Sequence, residues 1–321
     1  MKKLTGTFIK LASILNDGHY HDGTEIGEAL NMTPSAVWKA IKKLENYDIK
    51  VDSIKGKGYA LLEPLILLNE KTIKKGLASK NVSLSIFESV NSTNDYLKTH
   101  LSKKIHVCIA EKQTHGKGRL DRTWHSPFAQ NISLSCAYPF QKDISELAGL
   151  SLVVSLSVAK SLQIYNYPSP LLIKWPNDLI YDNKKLAGSL IEIQAESNGL
   201  CHAIIGIGLN VNMLVDESIS QPWTSLRKIT ANYIDRNQLC IILIDNLIND
   251  LAIFENNGLS AFLEEWKSVD YLSNKEIAIK NNGQKICGRY VGINKLGYML
   301  LALEDGSIKG FSSGDSTILK T

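Results

Sequence analysis

Hydrophobic residues recur at helical spacing near the start of the chain. The first such pattern runs from Phe8 to Leu15, and Asn16-Asp17-Gly18 should end it, because asparagine and glycine favour helix C-termini. Thr24 can cap a second helix, and Pro34 suits the first position of a third, where a missing N–H is harmless. The pattern therefore predicts three short helices in close succession.

The third predicted helix has two unlike faces. Val37, Ile41 and Leu44 share the apolar face. The segment 54–59 then predicts a strand, a tight basic turn and a strand, which together form the wing of a winged helix-turn-helix. Lys43 adds to the positive charge of this region. The polar helix face and the wing carry the residues predicted to contact DNA, namely Ser35, Trp38, Lys39, Lys42, Lys55 and Lys57.

The net charge of this first region is small. Residues 1–64 contain nine lysines, no arginine and eight acids, which gives a net charge of +1. A charged helix face is usually just solvated, so the position of the lysines favours DNA binding more than their number does. One such domain alone would bind DNA weakly, and we expect useful affinity only in a dimer that reads two half-sites.

The hydrophobic period changes along the rest of the chain. Residues 131–137 alternate with a period of two, as in a half-buried strand, whereas 147–164 predict a buried apolar helix. From residue 276 onward, short alternating segments are separated by turns such as Asn282-Gly283. The predicted fold class is α+β: a winged helix-turn-helix over 1–63, a central mixed sheet with helices on one side over 64–270, and a C-terminal SH3-like β-barrel over 271–321.

Composition excludes few classes of protein. Hydrophobic residues make up 44% of the chain and charged residues 21%, which is ordinary for a globular protein, and the net charge of +4 does not by itself indicate a nucleic-acid partner. The first residues lead into an amphipathic helix and not into a signal sequence, and no long apolar run predicts a membrane span. Five scattered cysteines indicate reduced thiols and a cytoplasmic protein.

The loop from Gln113 to Arg122 carries the first candidate chemistry. Gly116 and Gly118 bracket Lys117 and can bring bare backbone close to a ligand, and Arg119 follows at once. Backbone N–H groups and these cations suit phosphate oxygens. A solvated basic turn is nevertheless the more frequent interpretation of such a short run, so the loop needs a second motif beside it.

Two further motifs follow in order. Lys174-Trp175-Pro176-Asn177-Asp178 comes first, and Lys185-Leu186-Ala187-Gly188-Ser189-Leu190-Ile191-Glu192 comes after it. With the glycine/arginine loop, these motifs resemble those of the biotin–protein ligases. The resemblance runs over nearly the whole chain and is strongest to the bifunctional ligases that also repress the biotin operon. Lys117 departs from the usual arginine and loses its bidentate fork, and Asp121 places an acid in a loop that should attract anions.

The resemblance implies a reaction and a set of partners. Biotin would attack the α-phosphate of ATP to give biotinyl-5′-AMP and pyrophosphate, and the biotinyl group would pass to a lysine of the biotin carboxyl carrier protein of acetyl-CoA carboxylase. The adenylate would also act as the corepressor of a homodimer that binds operator DNA of the biotin biosynthesis genes. No covalent enzyme nucleophile is needed, because alignment of two anions and neutralisation of their charge are sufficient.

The resemblance also assigns candidate residues to this reaction. Lys174 and Arg119 are the predicted catalytic residues, and Asp178 is the candidate Mg²⁺ ligand. The predicted biotin-binding residues are Ser92, Thr93, Asn94, Gln113, Lys117, Gly118, Arg119 and Lys174. The predicted ATP- and adenylate-binding residues are Gly116, Arg122, Asn177, Lys185, Asn210 and Trp223.

Two other functions remain open at this point. A lipoate-type acyl-protein ligase would share the catalytic core but would lack this combination of wing domain and C-terminal barrel. A non-catalytic, ligand-sensing transcription factor would need to bind biotin but would not need the dense positive charge of Lys117, Arg119, Arg122 and Lys174.

Overall fold

The computed structural model describes residues 1, 6–78, 81–165, 167–195, 201–281, 284–312 and 314–319. The chain start at residues 2–5 and the predicted turn Asn282-Gly283 lie outside these ranges.

The N-terminal region is a winged helix-turn-helix, as predicted. Asp22, and not Thr24, caps the second helix, because its carboxylate accepts the backbone N–H of Thr24 at 2.7 Å while Glu25 reaches back to the backbone of Asp22. Thr33 caps the third helix, with Pro34 at its first position. The elements are α1 Gly6–Leu15, α2 Gly23–Leu30, α3 Pro34–Glu45, β1 Val51–Ile54 and β2 Gly58–Leu61, with β1 and β2 antiparallel.

Residues 66–68, which follow the wing, are hydrogen-bonded to side chains of the central domain. The fully buried Arg236 binds Glu111 at 2.6 Å and donates to the carbonyl of Ile66 at 2.8 Å. The other Glu111 oxygen accepts the backbone N–H of Leu68 at 2.6 Å, and Asn237 donates to the carbonyl of Leu67 at 3.1 Å. These buried hydrogen bonds hold the segment in one position on the central domain.

The central sheet is mixed, as predicted. Among the described residues it has seven strands in the order β3-β4-β5-β9-β8-β7-β6, with only the β3–β4 pair parallel. The strands are β3 Val82–Phe87, β4 Ile105–Ala110, β5 Ile132–Phe140, β6 Leu172–Lys174, β7 Asp178–Tyr181, β8 Lys184–Ala195 and β9 Cys201–Leu209.

The long helices cover one face of this sheet. The helices of the domain are α4 Glu70–Gly76, α5 Thr93–Lys98, α6 Leu150–Leu162, α7 Leu226–Thr230, α8 Arg236–Asn257 and α9 Leu263–Val269. Val107 and Ile109 of β4 point into the core beneath α6 and α8, whereas Cys108 and Ala110 alternate to the other face and pack near Leu97 of α5. The prediction of helices on one side thus holds for the long helices, and the short α5 lies on the opposite face.

The C-terminal domain is an antiparallel sheet that shares the central core. Its order over the described positions is β13-β12-β11-β10-β14. The Trp175 indole, only 2% exposed, donates to the carbonyl of Gly297 at 2.9 Å, so the turn before β7 packs against this domain. The strands are β10 Glu276–Asn281, β11 Gln284–Ile293, β12 Met299–Ala302, β13 Ile308–Phe311 and β14 Asp315–Ile318.

Two helical stretches are long and apolar enough to cross a membrane by length and composition alone. They are residues 144–162 and 236–269, and in each at least half of the apolar stretch is buried inside the protein. Both pack in the core with the central sheet, which accounts for their apolar composition.

Candidate functional site

Loops from three parts of the chain meet above the middle strands of the central sheet and enclose a cleft of about 540 Å³. The glycine/arginine loop forms one wall, and residues 218–221 form another. Of the predicted site residues, the cleft is lined by Ser92, Thr93, Asn94, Gln113, Lys117, Gly118, Arg119, Arg122, Asn177, Asp178 and Lys185.

A buried hydrogen-bond network fixes the amide and hydroxyl groups at one end of the cleft. Ser92 caps α5 by accepting the backbone N–H of Asp95 at 3.4 Å. The Ser135 hydroxyl lies 2.7 Å from the Thr93 hydroxyl and 2.6 Å from the amide oxygen of Asn94. Gln113 accepts the backbone N–H of Thr93 at 2.8 Å. These side chains are held in place before any ligand arrives.

Gly206 of β9 creates the space that Asn94 occupies. A Cβ atom at Gly206 would lie 2.5 Å from the Asn94 amide oxygen, which is closer than real Cβ contacts allow. Gly206 thus permits the network that orients Asn94.

Replacing Gly206 with alanine should therefore weaken biotin binding by about ten- to a hundredfold, because overpacking of this kind costs about 1–3 kcal/mol. Isothermal titration with biotin measures the effect. Gly310→Ala is the matched control, because a Cβ atom there meets only the Leu300 side chain at an ordinary 3.6 Å. Equal biotin affinity in the two variants would contradict this role of Gly206.

A chain of alternating charges joins the glycine/arginine loop to Asn94. Lys117 binds Asp95 at 2.7 Å, Asp95 also binds Lys98 at 3.3 Å, and Lys98 binds Glu192 at 2.5 Å. Glu192 accepts the Asn94 amide at 2.8 Å, which sets the orientation of that amide. Burial tends to raise the pKa of Asp95, but its hydrogen bonds to Lys117 and Lys98 outweigh burial and lower that pKa. Lys117 thus forms an ion pair with Asp95 on the cleft wall, although it cannot donate two parallel hydrogen bonds as the guanidinium of arginine can.

The glycine/arginine loop folds as a tight hairpin. The N–H of Gly118 bonds to the carbonyl of Arg122 at 2.7 Å, and Leu120 and Asp121 at the tip both have positive φ. Asp121 is exposed at this tip and does not line the cleft. At the base, the Trp124 ring fills the space above Gly208, where a Cβ atom would lie only 2.2 Å from the ring.

Asn177, in the turn before β7, and Asp178, the first residue of β7, each hold a cation that lines the cleft. The Asn177 amide oxygen accepts from Arg119 at 3.1 Å, and the Asn177 amide donates to the carbonyl of Ser189 at 2.6 Å. Asp178 binds Lys185 at 2.8 Å. The Lys185 ammonium lies 5.7 Å from the centre of the Trp124 ring, which places it beside the base of the hairpin.

Two polar groups on the cleft wall have no hydrogen-bond partner within the part of the chain described. They are the indole nitrogen of Trp124 and the hydroxyl of Ser189, and both are buried. An unpaired buried polar group costs about 1–3 kcal/mol, so such groups on a cleft wall indicate where a polar ligand binds.

Four predicted site residues do not line the cleft. Lys174 lies at the end of β6, one strand further from the middle of the sheet than Asp178. Gly116 supplies only backbone, with its carbonyl accepting from Trp124 at 2.9 Å. The buried Asn210 donates to the carbonyl of Thr224 at 3.0 Å. The Trp223 ring, predicted to bind the adenylate, has the Lys228 ammonium 3.8 Å from its centre.

Sequence reasoning missed several contributors to the cleft. Ser135 belongs to the alternating strand over 131–137, so its direction could have been read from the period of two. Ser218 to Gln221 form a wall of the cleft without any motif, and Ser218 contacts His125 at 3.0 Å. Only the folded chain brings these residues to the hairpin.

The residues predicted to contact DNA form an exposed surface. Trp38 on α3 is 51% exposed, and Lys42 binds Glu45 at 2.6 Å. Lys43 points the other way and binds the buried Glu88 of the central domain at 2.5 Å. The prediction that Lys43 adds to the positive charge of the DNA-binding surface is therefore wrong. Ser35, Trp38, Lys39, Lys42, Lys55 and Lys57 are all exposed, on α3 or on the turn between β1 and β2.

Asp178, the candidate Mg²⁺ ligand, is already paired with a cation in this arrangement. Its carboxylate is ion-paired with Lys185, and no group of three or more His, Cys, Asp or Glu side chains that could hold an ion occurs among the described residues. Magnesium that binds through ATP phosphates needs only one or two protein carboxylates, so Asp178 fits a role as one such ligand and not a dedicated cage.

Comparison with known proteins supports this picture over the whole chain. Residues 86–210 match the biotin/lipoate A/B protein ligase family, residues 9–60 match an HTH domain, and residues 272–315 match the biotin protein ligase C terminal domain. The three matches fall in the three regions described above and confirm the predicted fold class.

Named relatives extend the comparison. The bifunctional ligase/repressor BirA of Escherichia coli is 35% identical over 97% of this chain and 96% of its own length, and BirA of Bacillus subtilis is 28% identical over 91% of this chain and 92% of its own. The structure of a biotin protein ligase from Aquifex aeolicus in complex with biotin and ATP superposes with a TM-score of 0.64 and 29% identity, over 74% of this chain and 99% of that one.

Proposed function

This chain belongs to the family of bifunctional biotin–protein ligase/repressors, and on that premise we propose that it joins biotin to ATP in the cleft described above. The product, biotinyl-5′-AMP, is the donor for a lysine of the biotin carboxyl carrier protein of acetyl-CoA carboxylase. The same adenylate makes the protein a repressor of the biotin biosynthesis operon. The relatives' names support both activities, and the cleft supports the first.

The cleft has two chemically different ends that suit the two ends of biotin. Asn94 lies over Gly206, and Trp124, with Lys185 beyond it, lies over Gly208. These two glycines are separated by about 7 Å along β9, because each strand residue advances about 3.3 Å. Amide and hydroxyl groups match the ureido ring at the first end, and cations match the carboxylate at the second.

The cations at the second end act on the phosphate. Lys185 and Arg119 neutralise the charge that develops as the biotin carboxylate attacks the α-phosphate and pyrophosphate leaves. Asn177 and Asp178 hold these two cations from behind, at 3.1 Å and 2.8 Å. The proposal is best supported by one observation: Asn177 and Asp178 are consecutive residues, and both of the cations that they hold line the cleft. Lys174, the last residue of β6 and directly before the turn at 175–177, contributes less to the reaction than Lys185 in this proposal.

The hairpin keeps water from the product. A mixed anhydride hydrolyses if it is exposed, and the carrier lysine must reach it first. Arg119 and Arg122, on the hairpin, bind the adenylate phosphate and hold the hairpin over it. Magnesium, when it binds with ATP, supplies charge neutralisation on the phosphates beside Asp178.

Repression follows from dimer formation. Adenylate binding stabilises a homodimer in the cytoplasm, and the paired α3 helices and wings bind operator half-sites. The functional units are residues 1–63, 64–270 and 271–321, which read DNA, make the adenylate and support the catalytic domain.

The DNA surface makes a separate prediction. Lys39→Met and Lys42→Met should each reduce the slope of log affinity against log salt by about 0.9 per half-site, because each lysine neutralises one phosphate. Fluorescence anisotropy of labelled duplex DNA at several salt concentrations measures the slope. Lys74→Met, in the exposed pair with Glu70 on α4, should leave the slope unchanged. A slope unaffected by both α3 variants would place the DNA elsewhere.

Pyrophosphate release tests the enzyme directly. The purified chain with ATP should release pyrophosphate in the presence of biotin and not in the presence of lipoate. Release with lipoate alone would favour a lipoate-type ligase, and release with neither, together with retained biotin binding, would favour a non-catalytic sensor.

A further inference from the structure

A buried ionic contact ties the DNA-reading helix to the ligase domain. Glu88 directly follows β3, and its side chain is fully buried. One of its oxygens accepts from Lys43 at 2.5 Å, and the other accepts from the hydroxyl of Tyr47 at 2.7 Å. Lys43 lies on the last turn of α3 and Tyr47 lies just beyond it, so a single carboxylate holds the C-terminal end of the helix that is proposed to enter DNA.

Aromatic packing surrounds this contact. The Tyr47 ring stacks on Phe128 of the central domain, with ring centres 4.0 Å apart and planes 6° apart. The Lys43 ammonium lies 4.0 Å from the centre of the Phe8 ring. Phe128 belongs to the hydrophobic cluster of the N-terminal domain although it lies far along the chain. Burial and the Glu88 carboxylate together raise the pKa of Tyr47, so this hydroxyl remains a donor.

The position of Glu88 in the chain is also informative. Glu88 lies four residues before Ser92. Ser92 is the first of the three consecutive residues, Ser92 to Asn94, that are predicted to bind biotin. On the way, Val90 donates to the carbonyl of Lys112 at 3.1 Å and accepts from Thr114 at 2.9 Å, which ties the segment to the start of the glycine/arginine loop. The anchor of α3 therefore belongs to the rigid frame of the cleft.

We propose that Glu88 is a positioning residue for DNA binding, which fixes the angle of α3 on the ligase domain through Lys43 and Tyr47. The inference rests on the proposed repressor function. A dimer can place two reading helices in successive major grooves only if each helix has a set direction relative to the dimerising domain. If α3 moves freely, only a fraction of molecules is competent, and the apparent affinity falls by that fraction.

The proposal assigns Lys43 a role that differs from that of its neighbours on α3. Lys39 and Lys42 are exposed and are proposed to contact phosphate, whereas Lys43 binds the buried Glu88 of the central domain. Loss of Lys43 should therefore lower the affinity for DNA without changing its salt dependence, because the same phosphates are bound once the helix is in place.

The test compares Glu88→Ala, Glu88→Gln and Lys43→Met in the full-length protein. The probe is duplex DNA enriched from random sequence by wild-type protein in the presence of biotin and ATP. We expect Glu88→Ala and Lys43→Met to bind this DNA at least about tenfold more weakly, with an unchanged salt slope. Glu88→Gln keeps hydrogen-bonding atoms for Lys43 and Tyr47 and should recover most of the affinity. Glu70→Gln, in an exposed ion pair on α4, is the control acid.

Two further measurements separate positioning from folding and from the proposed function. Biotin-dependent pyrophosphate release should stay within about twofold of wild type in Glu88→Ala, since Glu88 does not line the cleft. Hydrogen–deuterium exchange should rise in α3 and not in the central sheet, whether or not DNA is present. Wild-type protein that enriches no DNA would overturn the repressor proposal, and the exchange result would then decide the role of Glu88 by itself.

Three results would overturn the inference. The first is wild-type DNA affinity and wild-type exchange of α3 in Glu88→Ala. The second is a salt slope that falls in Lys43→Met as it does in Lys42→Met, which would put Lys43 on the phosphates. The third is an equal loss of pyrophosphate release and DNA affinity, which would make Glu88 a residue of general stability.

Discussion

Replacing Lys185 with methionine is expected to slow adenylate formation by about 10²–10³-fold, because one well-placed donor to a developing oxyanion contributes that much. Methionine keeps most of the length of the side chain and removes the charge. Lys185 lines the cleft, is held by Asp178 at 2.8 Å and lies beside the Trp124 ring, so its ammonium is fixed before the reaction. Single-turnover formation of biotinyl-AMP from biotin and ATP measures the effect.

Two neighbouring lysines provide controls for this result. Lys184 is exposed and, as the preceding strand residue, points to the other face, so Lys184→Met should react at the wild-type rate. Lys174→Met should slow the reaction less than Lys185→Met, because Lys174 does not line the cleft. If Lys174→Met slowed adenylate formation more than Lys185→Met, Lys174 would be the main catalytic lysine.

Replacing Arg119 with alanine is expected to slow adenylate formation by about 10²-fold and also to release the adenylate faster. The guanidinium both contributes charge at the phosphate and ties the hairpin to Asn177 at 3.1 Å. Without it, the hairpin should open more often, and water should reach the anhydride. Free biotinyl-AMP, separated from protein by rapid filtration, measures the leak.

The matched control for this variant is Arg289→Ala on β11, which removes an exposed arginine far along the chain from the hairpin. Arg119→Lys should restore part of the rate but less of the retention, since lysine keeps the charge and loses the planar fork. An adenylate that stays bound to Arg119→Ala as long as to wild type would show that the hairpin closes without this contact.

Local sequence signals predicted several elements of this fold. Helical spacing from Phe8 to Leu15, Pro34 at a helix start and the alternation over 131–137 each reflect one element that buries one face. The position of α5 on the second face could not be predicted, because it depends on which face of β4 the Cys108 and Ala110 side chains occupy.

Most of the candidate residues taken from the motifs line one cleft. The motifs did not show which of the lysines lies closest to the reaction. Lys174 and Lys185 stand in motifs of equal strength, and only the order of strands in the sheet puts Lys185 on the cleft wall. The charge pairs Lys117–Asp95 and Lys43–Glu88 join residues 22 and 45 positions apart, so no local pattern could indicate them. For the same reason Lys43 was grouped with the DNA-binding lysines.

The most direct test of this account is a crystal structure of the protein with biotinyl-5′-AMP. The account predicts the ureido ring against Ser92, Thr93 and Asn94, and the phosphate within hydrogen-bonding distance of Lys185 and Arg119, with the hairpin closed over it. A bound adenylate whose phosphate lies away from both cations, or outside the cleft between the hairpin and residues 218–221, would contradict it.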